Sequence, residues 1–87
     1  MLAHVLKEVV LQADSPKRAF YRLWAEEIGI GYLVRKESGT EGKVLHAENW
    51  WRDNEQAALD LYERKLRQKT NPNRKHPRRY TIVSQRP

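Results

Sequence analysis

Nine basic residues (Arg64, Lys65, Arg67, Lys69, Arg74, Lys75, Arg78, Arg79 and Arg86) and one acid lie between Glu63 and Pro87, a local net charge of +8. Up to Tyr62, eight basic and ten acidic residues leave −2. Lysine and arginine at this density can neutralise phosphates and release condensed counterions. That chemistry gives generic, steeply salt-dependent affinity for a polyanion. Nucleic acid is the commonest such partner, and an acidic protein is the other. A solvated helix face followed by a basic tail is the plainer reading of the same charges. Arg64, Lys65, Arg67 and Lys69 spread around much of a helix, and no Asn, Gln or Arg array is aimed into a groove. Contact with the phosphate backbone is therefore expected, not base readout.

Aromatic residues are the second candidate chemistry. Trp50 and Trp51 cannot both face one core if the segment is extended, because successive side chains alternate. One should plug the junction between sheet and helix, and the other is left exposed, where it could stack on a base or sugar. Trp50 is taken as the exposed one. The bland alternative has both tryptophans covering a small core. Tyr21 and Trp24 are expected in the core.

Catalysis has little to work with. His4, His46 and His76 are far apart, and none lies four residues from another histidine, so no helical zinc pair exists. Nucleophile elbow, phosphate-cradling loop and dinucleotide fingerprint are all missing. Glu26-Glu27 is a carboxylate pair only in sequence, and a nuclease built on His46 and Glu48 would need clustering that the spacing does not suggest. No enzyme activity, cofactor or metal is expected.

These residues belong to a chain of 87, enough for one small domain with a modest core. The formal charge is +6, the apolar fraction 39% and the mean hydropathy −0.90, lean but not in the disordered range. There is no cysteine, which excludes disulfides and thiolate metal sites. No apolar run approaches a membrane span and no leader pattern is seen, so a cytoplasmic, soluble monomer with no membrane role is expected, with nucleoid association as an option.

The elements that must carry the charges read as short strands and one helix. Val5–Leu11 fits either, and its β-branched, uncapped character favours a strand. Asp14–Lys17 supplies turn chemistry. Ala19–Trp24, Tyr32–Lys36 and Lys43–Ala47 read as further strands, with a loop over Glu26–Gly31 and a hairpin connection over Ser38–Gly42. Asp53 as N-cap, with Gln56 three residues on, suggests a capping box. Ala58, Leu61 or Tyr62, and Leu66 form the apolar stripe of a helix ending near Lys69 or Thr70, before Asn71-Pro72-Asn73. Tyr80–Val83 is a β-prone run that can add a final strand.

The order of these elements resembles the WGR domain, a small sheet-plus-helix module named for a Trp-Gly-Arg signature. The matching residues are Phe20, Tyr21, Leu23, Tyr32, Leu33, Val34, Arg35, Gly42, Lys43, Trp51, Ala57, Ala58, Leu59, Tyr62, Leu66 and Lys69, across roughly residues 5 to 70. WGR domains of poly(ADP-ribose) polymerases bind DNA near strand ends and relay that contact to a catalytic domain; others are stand-alone or fused bacterial modules. The signature is where this chain departs. Its place falls near Glu37-Ser38-Gly39, and only a glycine survives, in shifted register. The roles of the signature Trp and Arg are therefore not carried over.

The expectation is an α+β fold: an antiparallel meander of four or five strands with one helix on one face. Residues 1–72 would form the WGR-like domain and 73–87 a basic C-terminal extension. The expected function is non-enzymatic DNA binding. Lys65, Lys69, Arg74, Lys75, Arg78 and Arg79 would neutralise phosphates, Arg35, Lys36 and Lys43 would assist from the hairpin, and Trp50 would stack. The competing expectation is a protein–protein adaptor using the sheet face and exposed tryptophans.

Overall fold

Strands alternate their side chains between two faces, so a sheet with one buried face must carry its apolar residues at every second position. Residues 4–13, 18–70 and 80–86 are described by the computed structural model of the chain. They form β1 (His4–Ala13), β2 (Ala19–Glu27), β3 (Tyr32–Thr40), β4 (Lys43–Arg52), α1 (Glu55–Thr70) and β5 (Tyr80–Arg86). All strands pair antiparallel, in the order β4-β3-β2-β1-β5. The first four strands are the expected meander. The helix then crosses from the β4 edge, and β5 adds to β1 at the far edge. Residues 80–86 thus belong to the same sheet as β1–β4.

One face carries two cross-strand rows: Val9, Leu23, Lys36 and Glu48, then Lys7, Ala25, Val34 and Trp50. Val9, Leu11, Tyr21, Leu23, Ala25 and Val34 on this face meet Ala58, Leu61 and Tyr62 of α1, and together they are the core. Tyr21 is fully buried here, as its sequence context suggested.

Trp24 is buried too, at 7% exposure, but on the opposite face, which no helix covers. Its cover is cationic. The Arg22 guanidinium stands 4.1 Å from the ring centroid and that of Arg35 5.4 Å. Carboxylates hold both arginines: Glu8 and Glu37 on Arg22, and Glu26 on Arg35 at 2.9 Å. An ion-paired layer thus does for the outer face what a second apolar layer does elsewhere.

Local differences from the sequence reading have physical causes. Glu26 and Glu27, expected in a loop, continue β2, because Arg35 pairs with Glu26 and the Tyr32 hydroxyl donates to Glu27 at 3.2 Å. The hairpin turn between β3 and β4 is only Glu41-Gly42, both with positive φ (53° and 80°), the backbone of a type I′ turn. Ser38–Thr40 stay in β3. The helix cap is Asn54, not Asp53: the Ala57 N–H donates to Asn54 Oδ1 at 2.8 Å. Asp53 instead accepts from Asn54 Nδ2, and Gln56 bonds Asp60, so no capping box forms. Among the described residues, no helix is long and apolar enough to cross a membrane.

Candidate nucleic-acid interface

A helix packed across a sheet places residues three and four apart on its sheet-facing line. In α1 that line runs through Ala58, Leu61 and Tyr62, then on to Lys65, Leu66 and Lys69. Lys65 and Lys69 are therefore turned inward, half-buried, while Arg64 and Arg67 point to solvent. Long apolar stems allow a lysine to sit this way and still keep its ammonium wet. The Lys65 Nζ lies 4.5 Å from the centroid of Trp50. The Lys69 Nζ lies 4.8 Å from that of Tyr21 and 5.3 Å from that of Tyr80.

Lys36 joins them from the sheet. It occupies a helix-face position of β3 where the helix no longer covers the sheet, 5.8 Å from the Tyr21 ring. Its ammonium donates to Glu48 Oε1 at 2.8 Å. The hydrogen bond and charge of Lys36 hold the Glu48 carboxyl below its ordinary range, against some desolvation, with Lys65 and His46 adding to the effect. Glu48 therefore stays ionised and offsets one of the three lysines.

The result is a groove between the second half of α1 and the uncovered end of β3 and β4. Its main part encloses about 790 Å³, lined by Lys36, Lys69, Tyr80, Phe20, Ser38–Thr40 and Leu45–Glu48. An adjoining crevice of about 220 Å³ brings in Trp50, Lys65 and Gln68. Three ammonium groups over an aromatic floor, with one carboxylate, form a surface suited to an anion. No group of three or more metal-ligating side chains exists among the described residues.

The candidate residues divide sharply. Lys36, Lys65, Lys69 and Trp50 converge on the groove. Lys43 is exposed at the hairpin end of the same strands. Arg35 is on the opposite sheet face, committed to Glu26 and to Asn49 Oδ1 at 3.1 Å, because odd and even positions of β3 point apart. Arg74, Lys75, Arg78 and Arg79 lie outside the described residues.

Trp50 corrects an expectation. The pair does split between faces, but Trp50 is the plug, opposite Val34 and packed on the core under Lys65. Trp51, opposite Leu33, is the exposed one at 51%. Tyr80, which its sequence context marks only as strand material, lines the groove, and its proximity to Lys69 depends on β5 joining the sheet.

No protein-family model, curated protein or solved structure matches this chain.

Proposed function

We propose that the chain is a non-enzymatic nucleic-acid-binding module that holds the phosphate backbone of DNA along the groove between α1 and β4. The observation that carries this reading is the convergence of Lys36, Lys65 and Lys69, from two separate elements, on one concave surface. Lys43 extends the cationic surface toward the hairpin, and the sequence supplies four more cations between Thr70 and Tyr80. Because lysines roof Trp50 and Tyr21, the aromatic floor orients ammonium groups and is not a platform for bases. Affinity then follows counterion release, with little sequence preference.

Titration of labelled duplex and single-stranded DNA at two salt concentrations tests the proposal. Binding should weaken steeply with salt. The triple substitution Lys36→Gln, Lys65→Gln, Lys69→Gln should reduce the slope of log affinity against log salt by about 2–3, close to one for each phosphate no longer neutralised. Absence of binding at low salt, or a slope unchanged by the triple substitution, refutes it.

A second reading, a protein-binding adaptor, is favoured by the opposite end of the molecule. Ile30 is 80% exposed at the tip of the β2–β3 loop, and the Trp51 indole N–H donates to its carbonyl at 3.3 Å. A salt-insensitive complex with one protein that survives nuclease treatment would favour this reading.

A further inference from the structure

Every strand but the two at the edges has neighbours on both sides, and of the two edge strands β4 is the longer. Lys43 to Asn49 are exposed without interruption, including Val44 at 51% and Leu45 at 59%. Leu45 is the extra residue of a bulge: Val44 pairs with Gly39 and His46 with Ser38, which leaves Leu45 without a partner on β3. Beyond the bulge the strand is regular and contains no proline. An edge of this kind is a template for another strand.

We propose that β4 pairs antiparallel with β4 of a second copy of this chain, about a two-fold axis through Ala47. The sequence of the strand selects that occupant and that register. Centred on Ala47, the pairing sets His46 of each copy opposite Glu48 of the other, twice over, and Leu45 opposite Asn49. His46 and Glu48 share the helix-side face, across from Ser38 and Lys36. Lys36 takes only Oε1 of Glu48, so Oε2 can accept an imidazole N–H from the second copy. Opposite polar partners on facing strands are the arrangement that stabilises a sheet seam, and like charges there destabilise it. The smallest side chain, Ala47, meets itself at the axis. A centre at His46 would leave Val44 against Glu48, and β5, the other edge, carries Arg86 as its only charge and offers no such match.

A two-fold axis normal to the sheet keeps both helices on one side of a continuous ten-stranded sheet. Leu45, His46, Ala47 and Glu48 line the groove, so the two grooves meet across the seam. Five residue pairs bury less than the roughly 1,200 Å² of a standard interface, so the dimer is weak, with a dissociation constant on the order of 0.1 mM. On the nucleic-acid reading above, one strand of phosphates spanning both grooves would strengthen it by raising the effective concentration. The pairing itself does not rest on that reading.

Sedimentation equilibrium of the full chain without nucleic acid, from about 10 μM to about 1 mM, tests it around that constant. The mass should rise with concentration from 10.4 kDa towards twice that value. His46→Glu alone sets carboxylates opposite one another, and Glu48→Lys alone sets a cation opposite the imidazole. Each should weaken self-association by about tenfold, whereas an equimolar mixture of the two variants should associate, because each then presents the other's complement. Both positions are exposed, so folding is retained; Ala47→Pro, which removes an amide at the centre of the pairing, should leave a monomer. A wild-type chain that stays monomeric throughout the range overturns the proposal. So does association unchanged by the single variants, or a mixture no more associated than its components. DNA binding by a strictly monomeric chain would sink the dimer and leave the proposed function standing.

Discussion

Arg86 and Glu8 are 78 positions apart in sequence and joined by two hydrogen bonds, from Nε at 2.9 Å and Nη2 at 2.6 Å to Glu8 Oε1. Arg22 takes the other oxygen of the same carboxylate from the opposite side. Glu8 is therefore the pin between β5, β1 and β2 on the outer face.

Replacing that pin should loosen the last strand. Glu8→Gln removes the charge from three charge-assisted hydrogen bonds and should cost about 1–2 kcal/mol, discounted for the partly exposed arginines. Urea denaturation measures the loss, and hydrogen exchange should place it mainly in β5.

The same carboxylate makes stability depend on acid. Burial works to raise its pKa, but the hydrogen bonds and charges of Arg22 and Arg86 outweigh burial, and the net shift is downward from 4.5. A depressed carboxylate contributes stability that is complete above its unfolded pKa and is lost as pH falls through the folded one. Thermal melts should thus show a decline below about pH 4.5 that is shallower in Glu8→Gln.

Tyr62 behaves in the opposite sense. Its hydroxyl is buried without a hydrogen-bond partner among the described residues. Burial first, then Glu63 and Glu8, pushes its pKa up to about 12. The neutral phenol belongs to the fold, so this contribution is full below the ordinary value of 10 and is lost as pH rises towards 12. Tyr62→Phe should be neutral or stabilising by up to about 1 kcal/mol, since it removes an unpaired buried polar group. A loss above about 2 kcal/mol in urea would show a partner for that hydroxyl.

Two glycines of the β3–β4 hairpin should fail for different reasons. A Cβ on Gly39 would stand 1.7 Å from the Lys43 carbonyl oxygen, so Gly39→Ala must push two backbones apart, at a cost of about 1–3 kcal/mol. Gly42 has open space around it but a φ of +80°, so Gly42→Ala meets only the left-handed penalty, about 1 kcal/mol. Paired melts of the two variants check the order.

At the start of α1, Asn54→Ala should cost about 1 kcal/mol by orphaning the Ala57 amide, and Asp53→Ala less. The reverse order in chemical denaturation would reassign the cap.

The cap of α1 shows what the sequence could and could not reveal. Asp53 and Asn54 are both good caps, and only the end of β4 at Arg52 decides which one is free to turn back. The helix itself, the four-strand meander and the buried Tyr21 were legible, because 3.6- and 2-residue periods and turn residues are local signals. The groove was only half legible. Lys65 and Lys69 stood out by charge, but their inward turn depends on where the sheet ends beneath them. Lys36 reaches them through a register no local pattern specifies. The orientation of Trp50 and Trp51 hinges on parity, which the bulge at Leu45 and the hairpin turn set from a distance.

Placing β5 beside β1 has a consequence for how the chain is made. β1 keeps one bare edge until β5 has been made, and the basic run between Thr70 and Tyr80 is synthesised before the closing strand. The β1–β4 meander can assemble from neighbouring hairpins, whereas β5 must find a partner about 70 positions back. Closure of the sheet is then the slow, late event of folding. A chain that stops short of Tyr80 leaves β1 as an open template for any strand it meets.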